Sequence, residues 1–118
     1  MTQENNNYYE KYYNYIVNTL GHVHIKGCKQ LAKVVAKYES GIELRALYRV
    51  VAEEENTSVD AIARNIRSYI AGVMSDASLE DLSTLFGYTF HAYSKNVLPR
   101  ELIPVLKFKI DEIDMQDL

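Results

Sequence analysis

The stretch that decides the fold is Thr57-Ser-Val-Asp-Ala-Ile-Ala-Arg-Asn-Ile-Arg-Ser-Tyr-Ile-Ala-Gly-Val-Met74. Thr57 and Asp60 are spaced as in a helix-capping box, and Ser58 is an equally good N-cap. Large apolar side chains recur along the stretch at helical spacing, at Ile62, Ile66, Tyr69, Ile70 and Val73. The pattern predicts an amphipathic helix that buries this stripe.

The opposite face of the predicted helix carries no bulky apolar side chain. At about 100° per residue it centres on Arg64, and its neighbours are small or polar: Asp60, Ala61, Arg67, Ser68, Ala71 and, at the border, Asn65. An arginine fork can bond the guanine edge in the major groove of DNA, and asparagine can do the same for adenine. The DNA contacts predicted here are Thr57, Ser58, Asp60, Arg64, Asn65, Arg67 and Ser68.

The segment before this helix predicts a partner for it. Ser40 and Glu43 fit another capping box, and an apolar stripe follows at Leu44, Leu47, Val50 and Val51. The partner ends near residues 54–56, so only a short turn joins the two. This predicts a helix-turn-helix over residues 42–74 with 58–74 as recognition helix, although ordinary packed surface helices show the same pattern.

Length and composition predict a single soluble domain. A chain of 118 residues can bury a core without a metal or a disulfide, and its one cysteine, Cys28, is typical of a small buried apolar residue in a reducing cytosol. The sequence contains no apolar run of about 18 residues, so no membrane span is predicted, and the N-terminus shows no signal-peptide pattern. We therefore expect a cytoplasmic protein.

The charge distribution is uneven. The net charge is -3, but residues 22–74 hold eight Lys/Arg against six acids, a local balance of +2, and the remainder carries -5. A DNA-binding protein needs a local basic face rather than a basic total. So weak a surplus predicts modest phosphate-driven affinity.

The N-terminal part contains a tyrosine-rich helix, predicted over residues 8–20 after a frayed segment 1–7. Tyr9 and Tyr13 share a stripe with Ile16 and Leu20 and are expected to pack on the domain. A second face is predicted to mediate self-association, because tyrosine is enriched in protein interfaces; its members are Tyr8, Tyr12 and Tyr15. The alternative is that this helix only covers the core.

Basic residues outside the recognition helix supply further predicted DNA contacts. Lys26 and Lys29 flank the start of a helix predicted over residues 28–39, where backbone amides and lysines favour a phosphate. Lys95 lies in a loop-like stretch, residues 88–96, and is predicted to contact DNA as well. His22 and His24 lack the spacing of metal ligands, so no metal or cofactor is predicted.

The C-terminal part adds two helices. One is predicted over residues 78–86, and the last begins at Pro99, a favoured first helical residue. The apolar stripe of the last helix is Leu102, Ile103, Leu106, Ile110 and Ile113, and an acidic tail is predicted at 115–118. The chain is thus predicted to be all-α, with about six helices and an embedded helix-turn-helix.

Five short segments occur in order between about residues 18 and 113: His24-Ile-Lys-Gly27, Leu47-Tyr48, Asn56-Thr57, Ile62-x-Arg64-x-Ile66-Arg67-x-x-Ile70 and Leu85-Phe-Gly-Tyr-Thr89. In register, they resemble the DNA-binding domain of the sporulation initiation response regulator of endospore-forming bacteria. The resemblance implies a six-helix fold whose helix-turn-helix reads a short DNA box, often as head-to-tail pairs on tandem sites. It implies double-stranded DNA as the partner.

The chain departs from this family within the recognition helix. The family has Glu where this chain has Ala63, Arg at Ala61 and His at Ser68. These differences predict another target sequence or weaker binding. The family's phosphoacceptor receiver is not among these 118 residues, so we expect no control by its own aspartyl phosphorylation if they are the whole protein. The tyrosine-rich helix lies at the family's linker position.

Two hypotheses of different class follow. One is a sequence-specific DNA-binding transcriptional regulator. The other is a protein–protein interaction module, or inhibitor, that keeps the fold but binds DNA weakly. An enzyme is not expected, because no nucleophile–base pair, metal spacing or glycine-rich phosphate loop is present; no small-molecule substrate is expected either.

Overall fold

A computed structural model describes residues 7–76 and 97–116, with the backbone alone for 114–116. Within them the chain forms five helices: α1 Glu10–Leu20, α2 Gly27–Lys37, α3 Leu44–Glu54, α4 Val59–Asp76 and α5 Pro99–Gln116. No strand occurs in this part of the chain, which confirms the all-α prediction. Residues 1–6, the helix predicted at 78–86, and Lys95 lie outside the described residues. No described helix is long and apolar enough to cross a membrane.

Helix α2 is the centre of the fold, since it packs against each of the other four helices. Leu31, Val34 and Val35 of this helix are fully buried. Cys28 is also buried, which confirms its predicted role as a small core residue. Because α2 contacts both α3 and α4, it positions the two helices of the helix-turn-helix.

Helix α3 begins later than predicted. The structure has no side-chain cap at its N-terminus, and residue Gly41 takes a positive φ of 94°. That left-handed backbone turns the chain away from a helical path, so the capping box predicted at Ser40 and Glu43 is wrong. The predicted stripe is also rotated, because Val50 is 47% exposed while Tyr48 is buried.

The turn between α3 and α4 is built by backbone hydrogen bonds. The Thr57 amide donates to the Ala52 carbonyl at 2.9 Å, and the Asn56 amide donates to Glu53 at 3.3 Å. Asn56 itself has a left-handed backbone, with φ 59°. This is a Schellman ending, in which a left-handed residue stops the helix and reverses the chain.

Helix α4 starts on Ser58, whose hydroxyl oxygen accepts a hydrogen bond from the Ala61 amide at 3.1 Å. Ser58 rather than Thr57 is therefore the N-cap. The predicted core stripe of this helix is confirmed, because every member is buried: Ile62, Ile66, Tyr69, Ile70 and Val73.

Helix α5 begins at Pro99, as predicted. The Glu101 carboxylate accepts the Leu98 amide at 3.0 Å and closes the first turn. Four members of its predicted stripe are buried, but Ile113 is 43% exposed and does not belong to the core. The helix continues to Gln116, so the predicted acidic tail begins inside it.

The tyrosine-rich helix is the main correction. Tyr12, predicted on an exposed face, is 6% exposed and belongs to the core with Ile16. Its hydroxyl donates to Asp111 at 2.8 Å and accepts from Lys107 at 3.1 Å. The prediction that Tyr12 faces another subunit is wrong, because α5 provides polar partners that make its burial favourable.

Candidate nucleic-acid interface

The solvent side of α4 carries an exposed stripe of five residues, Asp60, Arg64, Arg67, Ser68 and Ala71. We call this stripe the recognition face. The helix presents it outward because Ile62, Ile66 and Tyr69 anchor the opposite side in the core. Among the described residues, no carboxylate lies within ion-pair distance of Arg64 or Arg67.

The two arginines have different surroundings. Burial raises the pKa of Tyr48 to about 12, and the nearby Arg67 guanidinium acts in the opposite direction. Arg67 therefore lies close to a buried tyrosine of α3, whereas Arg64 is at the centre of the face. Both guanidiniums can still form the bidentate bonds that arginine makes with guanine.

A cavity of about 330 Å³ adjoins the recognition face. Its lining includes Arg64, Arg67 and Ser68 of α4 and residues 97–99, which lead into α5. Its remaining lining is apolar and includes Ala71 and Met74. Guanidinium and apolar surface are thus adjacent, a combination that suits a guanine beside a thymine methyl group.

Asn65 stands at the edge of the recognition face and is half-buried. Gly27, the first residue of α2, packs directly on its backbone, since an added Cβ at Gly27 would collide with the Asn65 carbonyl. This contact brings the exposed Lys26 beside the middle of α4. The close approach supplies a physical reason for glycine after the lysine.

The remaining predicted contacts lie at different distances from this centre. Thr57 and Ser58 are exposed at the start of α4, although the Ser58 hydroxyl is engaged as a cap. Lys29 is exposed, with its ammonium 5.9 Å from the centre of the Tyr13 ring. Lys95 lies outside the described residues.

Arg45 is a candidate that the sequence argument missed. Its guanidinium lies 3.6 Å from the Asp60 carboxylate, so the first turn of α3 is adjacent to the first turn of α4. Both side chains are exposed. One signal was present in the sequence, because a cation in the first turn of a helix opposes the helix dipole and calls for another explanation.

Acidic groups occupy the other end of α3, near the turn. Lys33 of α2 lies 3.0 Å from the Glu55 carboxylate and 3.8 Å from Glu54. Gln30 donates to Glu55 at 2.9 Å, and the Tyr8 hydroxyl donates to Glu54 at 2.5 Å. These acids are therefore internal ties to α2 and the N-terminal segment, away from the basic side chains of the recognition face.

The two histidines of the loop before α2 lie close together. The His22 and His24 ring centres are 5.9 Å apart, and His22 lies 3.3 Å from the Asp76 carboxylate. In the part of the chain that the structure describes, no three His, Cys, Asp or Glu side chains converge on a common point.

Comparison with known families adds to this geometry. Residues 13–110 match the family described as "Sporulation initiation factor Spo0A C terminal". The chain belongs to this family. The match spans α2, α3 and α4 completely and confirms the resemblance carried by the sequence segments. The family is a DNA-binding effector domain of a transcription factor and not an enzyme family, so the chain is a DNA-binding regulator at the family level.

Proposed function

We propose that this protein is a sequence-specific DNA-binding transcriptional regulator that inserts α4 into the major groove, with Arg64 reading a guanine. The observation that carries this proposal is the position of Arg64. It is exposed at the centre of the recognition face, and no described carboxylate lies within ion-pair distance of its guanidinium. A guanidinium in that setting can offer its fork to a base edge without first breaking an internal ion pair.

The neighbouring side chains have supporting roles in this proposal. In this proposal Arg67 and Asn65 contact further base edges, and the hydroxyls of Thr57, Ser58 and Ser68 bond phosphates. Lys26 and Lys29 contribute phosphate contacts, Lys26 from its place beside the middle of α4. Lys95 keeps its proposed role as a basic contact.

The test begins with selection of bound sequences from random DNA. For the selected site, Arg64→Ala should weaken specific binding by about 1–3 kcal/mol without loss of fold. Arg64→Lys is the matched control, because it keeps the charge but loses the fork. It should retain the salt dependence of binding and lose discrimination at one base position.

Equal affinity of Arg64→Ala and the parent protein for the selected site would contradict the assignment. If Arg64→Lys discriminated between bases as well as the parent protein does at every position, Arg64 would contribute only its charge. Circular dichroism and thermal unfolding of each variant separate a loss of binding from a loss of fold.

A second candidate function is favoured by Asp60. This acid lies on the recognition face itself and pairs with Arg45, which reduces the positive potential there. Ala61, Ala63 and Ser68 also stand where the family has larger polar residues. Together with Asp60, these residues favour a module that pairs with a related regulator. Failure to select any DNA sequence at low salt would favour this function.

Self-association remains part of the proposal, now without Tyr12. Tyr8 and Tyr15 are both half-buried, and the Tyr8 ring also stacks on the Lys37 ammonium at 4.1 Å. Deleting residues 1–17 would remove the core residues Tyr12 and Ile16, so point substitutions are the better test. Light scattering should show a dimer mass that falls in Tyr8→Ala/Tyr15→Ala but not in Asn14→Ala; a monomer throughout would contradict it.

A further inference from the structure

We propose that Arg45 is a phosphate-binding residue and that Asp60 restrains it, so that Asp60 lowers the affinity of the protein for DNA. The inference rests on the proposed DNA-binding function and assigns a regulator of its strength. The inference is supported by the contact between Arg45 Nη2 and Asp60 Oδ1 at 3.6 Å, which links the first turns of the two motif helices.

Asp60, which the sequence predicts to be at the DNA interface, is expected from its pairing with Arg45 to weaken binding there. Asp60 lies on the recognition face, one helical turn before Arg64 and on the same side of α4. Any phosphate or base that approaches Arg64 from this end therefore meets the Asp60 carboxylate. Arg45 stands next to it, at the N-terminal end of α3, where a motif helix faces the DNA backbone.

The pair is not explained by stability. The two side chains are 66% and 83% exposed, and exposed ion pairs contribute little to folding. Asp60 is favourable at the start of α4, but Arg45 is unfavourable at the start of α3, because the helix dipole is positive there. A positive helix end and a guanidinium together make an anion site, which Asp60 occupies in part.

DNA binding would exchange this internal partner for a phosphate. Each phosphate contact releases condensed counterions and adds to the salt dependence of binding. When Asp60 holds the guanidinium, part of that gain is lost, and the carboxylate also repels the phosphates directly. Removing Asp60 should therefore make binding both tighter and more sensitive to salt.

The experiment measures binding of the selected site and of a random duplex over a range of salt concentrations. Four variants are compared: Asp60→Asn, Arg45→Ala, the double variant and Glu53→Gln. Asp60→Asn should bind both duplexes roughly threefold more tightly, with a salt slope steeper by up to about 0.9. Arg45→Ala should shift both quantities the other way.

The double variant separates restraint from simple repulsion. If Asp60 acts through Arg45, the gain from Asp60→Asn shrinks when Arg45 is already alanine, which is a coupling between the two substitutions. Glu53→Gln removes the same charge at the opposite, exposed end of α3 and should leave the salt slope unchanged.

Three results would overturn the inference alone while the parent protein binds DNA. One is an unchanged affinity and slope in Asp60→Asn. Another is an equal gain with and without Arg45, which would show repulsion only. The third is a changed base preference at one position with an unchanged slope, which would show that Asp60 accepts a hydrogen bond from a cytosine. No DNA binding by any variant would overturn the proposed function as well.

Discussion

The recognition face of α4 and the tyrosine-rich helix α1 differ in whether other helices supply partners for their polar side chains. The sequence predicts a surface for a partner on both, because each carries more polar or aromatic side chains than a buried stripe needs. On the recognition face, Arg64 and Arg67 have no ion-pair partner among the described residues. In α1, the Tyr12 hydroxyl donates to Asp111 and accepts from Lys107, and just before this helix the Tyr8 hydroxyl donates to Glu54.

The difference shows what makes a polar side chain available for binding. Tyr12 is buried because α5 brings an acid and a lysine to its hydroxyl, which removes the cost of desolvating it. No described helix brings an acid to Arg64. The chemical type of the side chain is therefore a weaker guide than the partners that other helices supply.

Gly27→Ala should destabilise the fold more than any other substitution considered below. The new methyl group would collide with the Asn65 carbonyl, and backbone cannot move as a side chain can. We expect a loss of about 3 kcal/mol in the free energy of unfolding, because the contact holds α2 against the recognition helix. Denaturant unfolding measures the loss, and DNA affinity should fall with it.

Gly72→Ala is the matched control for this prediction. An added Cβ there would lie 2.5 Å from Ile25 Cδ1, the far end of a flexible side chain that can rotate away. The gain in helix propensity of alanine over glycine, about 1 kcal/mol, offsets that adjustment. A stability loss as large as that of Gly27→Ala would contradict the packing argument.

Tyr12→Phe tests the two hydrogen bonds of the buried Tyr12 hydroxyl. It removes a hydroxyl that bonds two charged groups while keeping the ring in the core. The expected loss is about 1–2 kcal/mol in the free energy of unfolding, with DNA affinity per folded molecule unchanged. Tyr15→Phe is the control, because the Tyr15 hydroxyl makes no hydrogen bond to the residues that the structure describes, and it should be near neutral. Similar losses in both would contradict the assigned role of the hydroxyl.

Lys26→Ala and Lys29→Ala test two exposed lysines that are proposed to contact phosphates. Each should weaken specific and non-specific DNA binding alike and reduce the salt slope by about one unit or less. Lys26 should have the larger effect, since Gly27 places it beside α4, whereas Lys29 lies toward Tyr13. A changed sequence preference with an unchanged slope would contradict phosphate contact.

Much of the helical layout was predictable from local patterns. The buried stripe of α4, the burial of Cys28 and the start of α5 at Pro99 all follow from periodicity, residue type and capping chemistry. The start of α3 was not predictable in this way, because the backbone of Gly41 overrides the capping pattern around it. The pair Arg45 and Asp60 was missed because its members are distant in sequence and meet only across the turn.

Local sequence patterns were sufficient to predict the helical class, the helix-turn-helix pair, the family and the side of α4 that faces outward, because helical periodicity and motif spacing are properties of neighbouring residues. The tertiary structure alone decided that Tyr12 is core, that Asp60 engages Arg45 while Arg64 has no such partner, and that Gly27 must be small. Each of these depends on groups that approach from another helix, and a pattern along one segment carries no record of them.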